Sequence, residues 1–416
     1  MPLLAKNFMN VKASSTLEIN EISKDLINSG KEIFKFGLGQ SPFPVPSVIT
    51  EELRKFAEVK DYLDVAGLFE LRESVASYHT KRNKERYGSE NVLIGPGSKE
   101  LLFQCQMVLD AVTILPAPSW VSYAPQAKFL GKKIVWLKAS ADENWHISPE
   151  ALDRLCLSEG ERNKLLILNS PNNPSGTSHT RLQELANVAK KHNLIVISDE
   201  IYAELDFNGT YQSISHFYSE GTIISSGLSK WCGAGGWRLG TMTFPDQYLN
   251  IRHALRATSS ETFTSVSAPI QYAAIKAFTC DHSKYLENSR LILDHVASFV
   301  HYELNSVGIK SVKPSGGFYI LCDFTNIFKN SSNILTDKDL CKKLLQDTGV
   351  ATLPGSDFGL NAKDKILRLA FVDFDGGRIL EELDRNNKLE KPSPNGPLSR
   401  IYEGTKRLRN WVINNT

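Results

Sequence analysis

The hydrophobic positions of this chain fall into short uninterrupted runs, and through the middle of the sequence those runs alternate with stretches of helical period. Seven runs stand out: NVLIG (91–95), AVTILPAP (111–118), KKIVWLKA (132–139), KLLILNSP (164–171), NLIVISDE (193–200), GTIISSG (221–227) and LGTMTFP (239–245). A run that stays apolar, instead of alternating, is the mark of a strand covered on both faces. Segments such as RLQELANVAKKH (181–192) lie between some of them, with Leu and Ala on one face and Lys on the other. The pattern predicts an α/β fold with a seven-stranded, mostly parallel sheet.

Beyond this region IRHALRATSSE reads as a helix running into a polar loop, and a helix-rich stretch follows from about Ser265. GGFYILCDF (316–324) and DKILRLAFVDF (364–374) read as strands of a smaller α+β unit, joined by the helical TDKDLCKKLLQDTG. A proline-rich loop, LEKPSPNGPLSR (389–400), precedes a last helix, IYEGTKRLRNWV. The expected division is a large domain over 49–285, a small one over 286–416, and an amino-terminal segment, 1–48, packed with the small one.

Composition narrows the function classes. A chain of 416 residues exceeds what one hydrophobic core usually serves, consistent with two domains. With 41% hydrophobic residues, 23% charged residues and a net charge of +2, it has the balance of an ordinary globular protein, and no basic block points to nucleic acid. The six cysteines are scattered and form no CxxC, which argues against a zinc site or a redox pair and fits a reducing compartment. No metal site is expected. No apolar run approaches membrane-spanning length, and the apolar stretch in MPLLAKNFMNVKASS is too short for a signal peptide, so a cytoplasmic protein is expected.

In an open parallel sheet ligands sit beyond the carboxyl ends of the strands, so the polar residues after each run carry the chemistry. GPGSKE, after the first run, offers Gly97, Ser98 and Lys99 at the start of a helix. This is either an anion site or a tight turn with Ser98 as helix cap; it is not a Walker A loop. PAPSWVSY offers Trp120, a plane for stacking or simply core; NSPNNPSGT offers the Asn173 amide in what is otherwise a loop. DEIYAEL puts Asp199 at a strand end, with Tyr202 three residues on. SSGLSKWCGAGGWRLG then adds Lys230 and Arg238. A lysine in a dry pocket can attack a carbonyl to form a Schiff base, an arginine can grip a phosphate, and a buried carboxylate can keep a pyridine nitrogen protonated.

These motifs together resemble the class I aminotransferases, pyridoxal-phosphate enzymes of fold type I, and among them the bacterial type of aspartate aminotransferase. The resemblance runs from about Ser15 to about Val412 and rests on NNPSG, SDEIY, SK followed eight residues later by the arginine of GWRLG, and LRLAF. It implies that Lys230 forms the Schiff base with pyridoxal 5'-phosphate and carries the substrate's α-proton. Asp199 would pair with the pyridine nitrogen, and Tyr202 and Asn173 with the ring's phenolic oxygen. Arg238, Ser98 and the backbone at Gly97 and Lys99 would hold the phosphate, and Trp120 would stack on the ring. Tyr62 matches a tyrosine that reaches the neighbouring subunit's phosphate, which implies a homodimer with shared active sites. Arg368 and Gly39 match groups that receive the substrate's α-carboxylate. Lys99 and Trp120 bear on side-chain choice, with a lysine at 99 favouring aspartate or glutamate.

Three departures affect these expectations: Gly227 where many relatives have a phosphate-binding serine, leaving Ser226 or Ser229 as substitutes; Ser175 for a threonine; and GQSPF for GEPDF near the substrate entrance. The expected reaction is reversible amino transfer from an L-amino acid to a 2-oxo acid. The rivals are a C–S (β) lyase, an aminotransferase for aromatic or other neutral amino acids, and a non-catalytic relative, which the intact Lys230, Asp199, Tyr202, Asn173 and Arg238 oppose. A nicotinamide dehydrogenase is disfavoured because no GxGxxG follows a strand.

Overall fold

The computed structural model describes residues 3–9, 15–83 and 85–415; parts of the amino-terminal segment, residues 1, 2 and 10–14, lie outside the described residues. All seven apolar runs form strands: β1 (Val92–Gly95), β2 (Val112–Ala117), β3 (Ile134–Lys138), β4 (Lys164–Asn169), β5 (Ile195–Asp199), β6 (Thr222–Gly227) and β7 (Gly240–Thr243). They make one sheet in the order β1-β7-β6-β5-β4-β2-β3. β7 runs antiparallel to both its neighbours, and every other pairing is parallel.

The unbroken apolar character of β4 has a direct structural reason. Leu165 and Ile167 enter one buried cluster with Leu101, Leu102 and Leu255, and Leu166 and Leu168 enter another with Leu152, Leu185 and Ala186. Helices Ser98–Val108 and Leu249–Ser260 therefore cover one face of the sheet, and Pro149–Ser158 and Leu182–Lys191 the other. With both faces covered, no position of β4 is left for water.

A second sheet contains β8 (Tyr319–Asp323), β9 (Leu353–Pro354) and β10 (Ile366–Ala370), in the antiparallel order β8-β10-β9. Two of these strands are expected from the hydrophobic pattern; β9, two residues long and half proline, is not. Helix Asp337–Thr348 starts at a Thr336/Asp339 capping box and stops at Gly349, whose φ of 76° suits a residue without a side chain. The amino-terminal strand-like segment joins this region. The Phe34 N–H donates to the Gly349 carbonyl at 2.9 Å, and the Ala351 N–H donates to the Phe34 carbonyl at 3.0 Å. The Ala370 N–H donates to the Phe36 carbonyl at 2.7 Å, which carries Gly37 and Gly39 past the end of β10.

Register fixes what meets at the rim of the large sheet. Asn169 ends β4 opposite Asp199, Asp199 lies opposite Ser225, and Gly227 lies opposite Gly240, itself paired with Gly95. The polar ends of four strands and the turn into helix Ser98–Val108 thus share one edge.

Candidate active site

Asp199 is buried at the end of β5. The Tyr123 hydroxyl donates to its Oδ2 at 2.5 Å, and the Ile201 N–H donates to Oδ1 at 3.3 Å. Burial pushes the carboxyl up to about 6, against these hydrogen bonds, which favour the ionised form. The neighbouring Asn169 Nδ2 donates to the Asp199 carbonyl at 2.8 Å, and Asn169 Oδ1 accepts the Asn173 N–H at 2.7 Å, tying the NNPSG turn to the strand end.

Lys230 follows β6 and reaches the Gly39 carbonyl, with Nζ donating at 2.8 Å. Its ammonium also lies 5.7 Å from the centre of the Tyr202 ring and 5.6 Å from that of Phe318. The glycines around it have specific uses. A side chain at Gly227 would come within 2.7 Å of the Leu239 carbonyl, and one at Gly240 within 2.1 Å of the Ser98 nitrogen. Glycine at 227 therefore permits the close pairing of β6 with β7, and glycine at 240 brings β7 against the start of the helix. Ser226 and Ser229 flank the position, both half-buried.

Arg238 takes a left-handed conformation, φ 55°. Its Nη1 donates to the Gly235 carbonyl at 2.8 Å and Nη2 to the Pro96 carbonyl at 3.4 Å. Gly97 has φ 92°, and a Cβ there would lie 2.2 Å from Arg238 Nη2, so the glycine leaves the space that the guanidinium fills. Gly97, not Ser98, caps the helix; Ser98 is its first residue. Lys99 points its ammonium over Trp120, 5.0 Å from the ring centre, and Trp120 meets Tyr123 edge-on. Burial, then the charges of Arg238 and Lys230, hold Lys99 below the ordinary lysine range.

Arg368 rises from β10 into the same region. It is buried, donates from Nη1 to Asn173 Oδ1 at 3.2 Å and from Nη2 to the Gly37 carbonyl, and keeps Nε without a partner. Its guanidinium packs over the rings of Tyr319 and Phe358. Burial lowers its affinity for the proton, as it must for a cation taken from water. Tyr202, also buried, shares a 2.8 Å hydrogen bond with the hydroxyl of Tyr319.

The structure thus brings together Gly39, Gly97, Ser98, Lys99, Trp120, Asn173, Asp199, Tyr202, Lys230, Arg238 and Arg368. Tyr62 stands apart, 87% exposed. Tyr123 and Tyr319 are the additions. Each sits beside an apolar run, in PAPSWVSY and GGFYILCDF, where a tyrosine reads as core; only the three-residue offset from Trp120 hinted at the first.

The donor set can be tested against pyridoxal phosphate. Among the described residues Lys99, Lys230, Arg238 and Arg368 have no carboxylate within ion-pair distance, although 23 other pairs form. Asp199, in turn, is a buried acid with no cation at ion-pair distance. A cationic cluster at a helix start and a buried carboxylate at a strand end suit a ligand with a phosphate at one end and a basic ring nitrogen at the other. The residues fit that cofactor. Among the described residues no cluster of three or more His, Cys, Asp or Glu could hold a metal ion.

Comparison with known proteins agrees. The family model for aminotransferase class I and II matches residues 31–375. An aspartate aminotransferase of Thermotoga maritima is 31% identical, covering 92% of this chain and 98% of its own. An aspartate/prephenate aminotransferase of Thermus thermophilus is 30% identical over 85% of this chain and 91% of its own. The solved aspartate aminotransferase from Thermus thermophilus with maleate superposes with a TM-score of 0.84 at 26% identity, covering 99% of this chain and 100% of that one. The chain belongs to the class I and II aminotransferases and is a pyridoxal-phosphate-dependent transaminase of the fold type I architecture.

Proposed function

We propose that this aminotransferase acts on dicarboxylic amino acids, aspartate and glutamate, and passes the amino group to a 2-oxo acid in a ping-pong cycle. The observation that carries the reading is the convergence of four cations that have no carboxylate partner among the described residues, three at the rim of the large sheet and Arg368 from β10. Two of them answer the needs of an anionic cofactor and its substrate carboxylate, one supplies the reactive amine, and Lys99 remains for a second carboxylate. The names of the relatives from Thermotoga and Thermus favour the same substrate class.

Pyridoxal phosphate, when bound, supplies the carbonyl that takes up the amino group and a ring that draws electrons from the α-carbon. The chain's residues do the rest. Lys230 Nζ would be the amine that holds the cofactor and, when free, the group that takes and returns the substrate's α-proton. Its hydrogen bond to the Gly39 carbonyl supports that reading, since it gives the free ammonium an acceptor. Asp199 holds a proton at the ring nitrogen, and Tyr202 and Asn173 donate to the phenolic oxygen. Arg238, Ser98 and the backbone at Gly97 and Lys99 bind phosphate, and Trp120 covers the ring. Arg368, whose Nε has no partner among the described residues, would bind the α-carboxylate and so orient the substrate's α-carbon.

The unpaired, solvent-facing Tyr62 supports a homodimer in which it completes the partner's phosphate site. Phe56 stacks on Tyr272 at 4.4 Å, which supports a large domain over 49–285, and the Phe34 bridge to Val350 supports joining 1–48 to the small domain over 286–416. Six free cysteines, and no described helix long and apolar enough to cross a membrane, support a cytoplasmic setting.

The test is a visible spectrum of the protein with pyridoxal phosphate, recorded while single amino acids are added. Aspartate and glutamate should bleach the band fastest. Faster bleaching by aromatic or alanine substrates would contradict the substrate class. Ammonia and pyruvate released from a cysteine conjugate with no oxo acid present would favour the lyase.

A further inference from the structure

Tyr319 touches three parts of the site at once. Its hydroxyl lies 2.8 Å from that of Tyr202 and donates to the Gly39 carbonyl at 3.5 Å, while its ring lies under the Arg368 guanidinium at 4.5 Å. Register explains the last contact. Tyr319 pairs with Ala370 across β8 and β10, and Arg368 is two residues from Ala370, so tyrosine and arginine are diagonal neighbours on one face. Gly39 is shaped by the same side chain, since a Cβ there would lie 1.8 Å from the Tyr319 oxygen. The Gly39 carbonyl also receives the Lys230 ammonium, which links amine and phenol pair through one acceptor.

Proton counting gives the hydroxyl pair two arrangements. Each phenol has one proton to donate. In the first, Tyr202 donates to Tyr319 and Tyr319 donates to the Gly39 carbonyl. In the second, Tyr202 gives its proton to a ligand, and Tyr319 turns to donate to the oxygen of Tyr202. Both arrangements use the proton of each phenol, and the second makes Tyr202 a stronger donor through hydrogen-bond cooperativity.

We propose that Tyr319 is a positioning residue that acts on the cofactor through the Tyr202 hydroxyl and on the substrate through the ring beneath Arg368. The proposal rests on the cofactor reading above. The charged and titratable groups facing the phenol pair are Lys230, Arg368, Asp199 and Tyr123, and Tyr319→Phe alters none of them directly.

Two variants separate the two roles. Tyr319→Phe keeps the ring and deletes the hydroxyl. It should raise the pH midpoint of the cofactor's visible absorption change by about half to one pH unit, the range one neutral hydrogen bond supplies. It should weaken pyridoxal phosphate binding to the apoprotein roughly two- to tenfold and leave KM for amino acids within about twofold. Tyr319→Leu removes the ring as well and should add a rise in KM of about fivefold or more for every amino acid, the loss of a desolvated cation–π contact. A midpoint and cofactor affinity in Tyr319→Phe equal to wild type would overturn the proposal, as would equal KM in the two variants. A wild-type protein that takes up no pyridoxal phosphate would instead overturn the cofactor reading, and this proposal with it.

Discussion

Tyr123→Phe is the change that most sharply probes how Asp199 is held. The ring would remain, fully buried and edge-on to Trp120, while Asp199 Oδ2 loses its hydroxyl donor and the carboxylate keeps only the Ile201 N–H. A hydrogen bond to a charged group contributes about 1.5–3 kcal/mol and one to the neutral acid about 1 kcal/mol, so the buried carboxyl, already held near 6, should rise by about half to one and a half pH units. A folded-state pKa raised above the unfolded one costs stability at pH values above it. Apoprotein Tyr123→Phe should therefore lose roughly 1.5–3 kcal/mol at pH 8 but only about 1 kcal/mol at pH 5, where the carboxyl is protonated. Urea unfolding at the two pH values measures this. In the loaded enzyme the same loss should slow the amino-acid half-reaction on the order of ten- to a hundredfold at neutral pH, with KM little changed. Equal destabilisation at pH 5 and pH 8, with a half-reaction within twofold of wild type, would refute the reasoning and leave Tyr123 as packing alone.

Other expectations follow from the same geometry. Lys99→Ala should lower kcat/KM for aspartate by about tenfold or more and leave alanine nearly unaffected, whereas Arg368→Ala should lower both; steady-state kinetics on the two substrates distinguishes them. Gly97→Ala puts a Cβ 2.2 Å from Arg238 Nη2 at φ 92°, and should weaken cofactor binding at least tenfold in a spectral titration. His79 and His179 are buried and held down to about 3 by burial, with the charge of Arg82 adding to the first and His146 to the second. Since their folded pKa values lie below the unfolded one, the unfolded chain binds protons first as pH falls through 6.5. Each histidine should cost roughly 2 kcal/mol of stability at pH 5, while Asp199, shifted the opposite way, offsets roughly 1 kcal/mol in the apoprotein. His79→Leu should flatten the pH 7 to pH 5 loss by about 2 kcal/mol in denaturant unfolding, and an unchanged loss would contradict it.

The inner strands of the large sheet were legible because a strand buried on both faces is apolar along most of its length, as Leu165 to Leu168 show by splitting between two clusters; the edge strand β3, partly exposed, was legible from its apolar run alone. β9 was not, because two residues carry no period. Helix Phe69–Arg82 left no clear signal either, because it buries His79 and mixes charge around its circumference. In the site, residues at strand ends were readable because polarity after an apolar run is conspicuous. Tyr123 and Tyr319 were hidden for the opposite reason: their rings pack as core, and where each hydroxyl goes depends on the folded chain. The choice between Gly97 and Ser98 as helix cap also required the backbone angle, since both residue types start helices.

The central claim is that Lys230 is the amine that bonds the cofactor. Reduction of the pyridoxal-phosphate-loaded protein with borohydride, followed by peptide mass mapping, tests it most directly. A single modified lysine is expected, in the peptide carrying Lys230, and none in Lys230→Ala. Modification at Lys99, or label spread over surface lysines with Lys230 untouched, would contradict it.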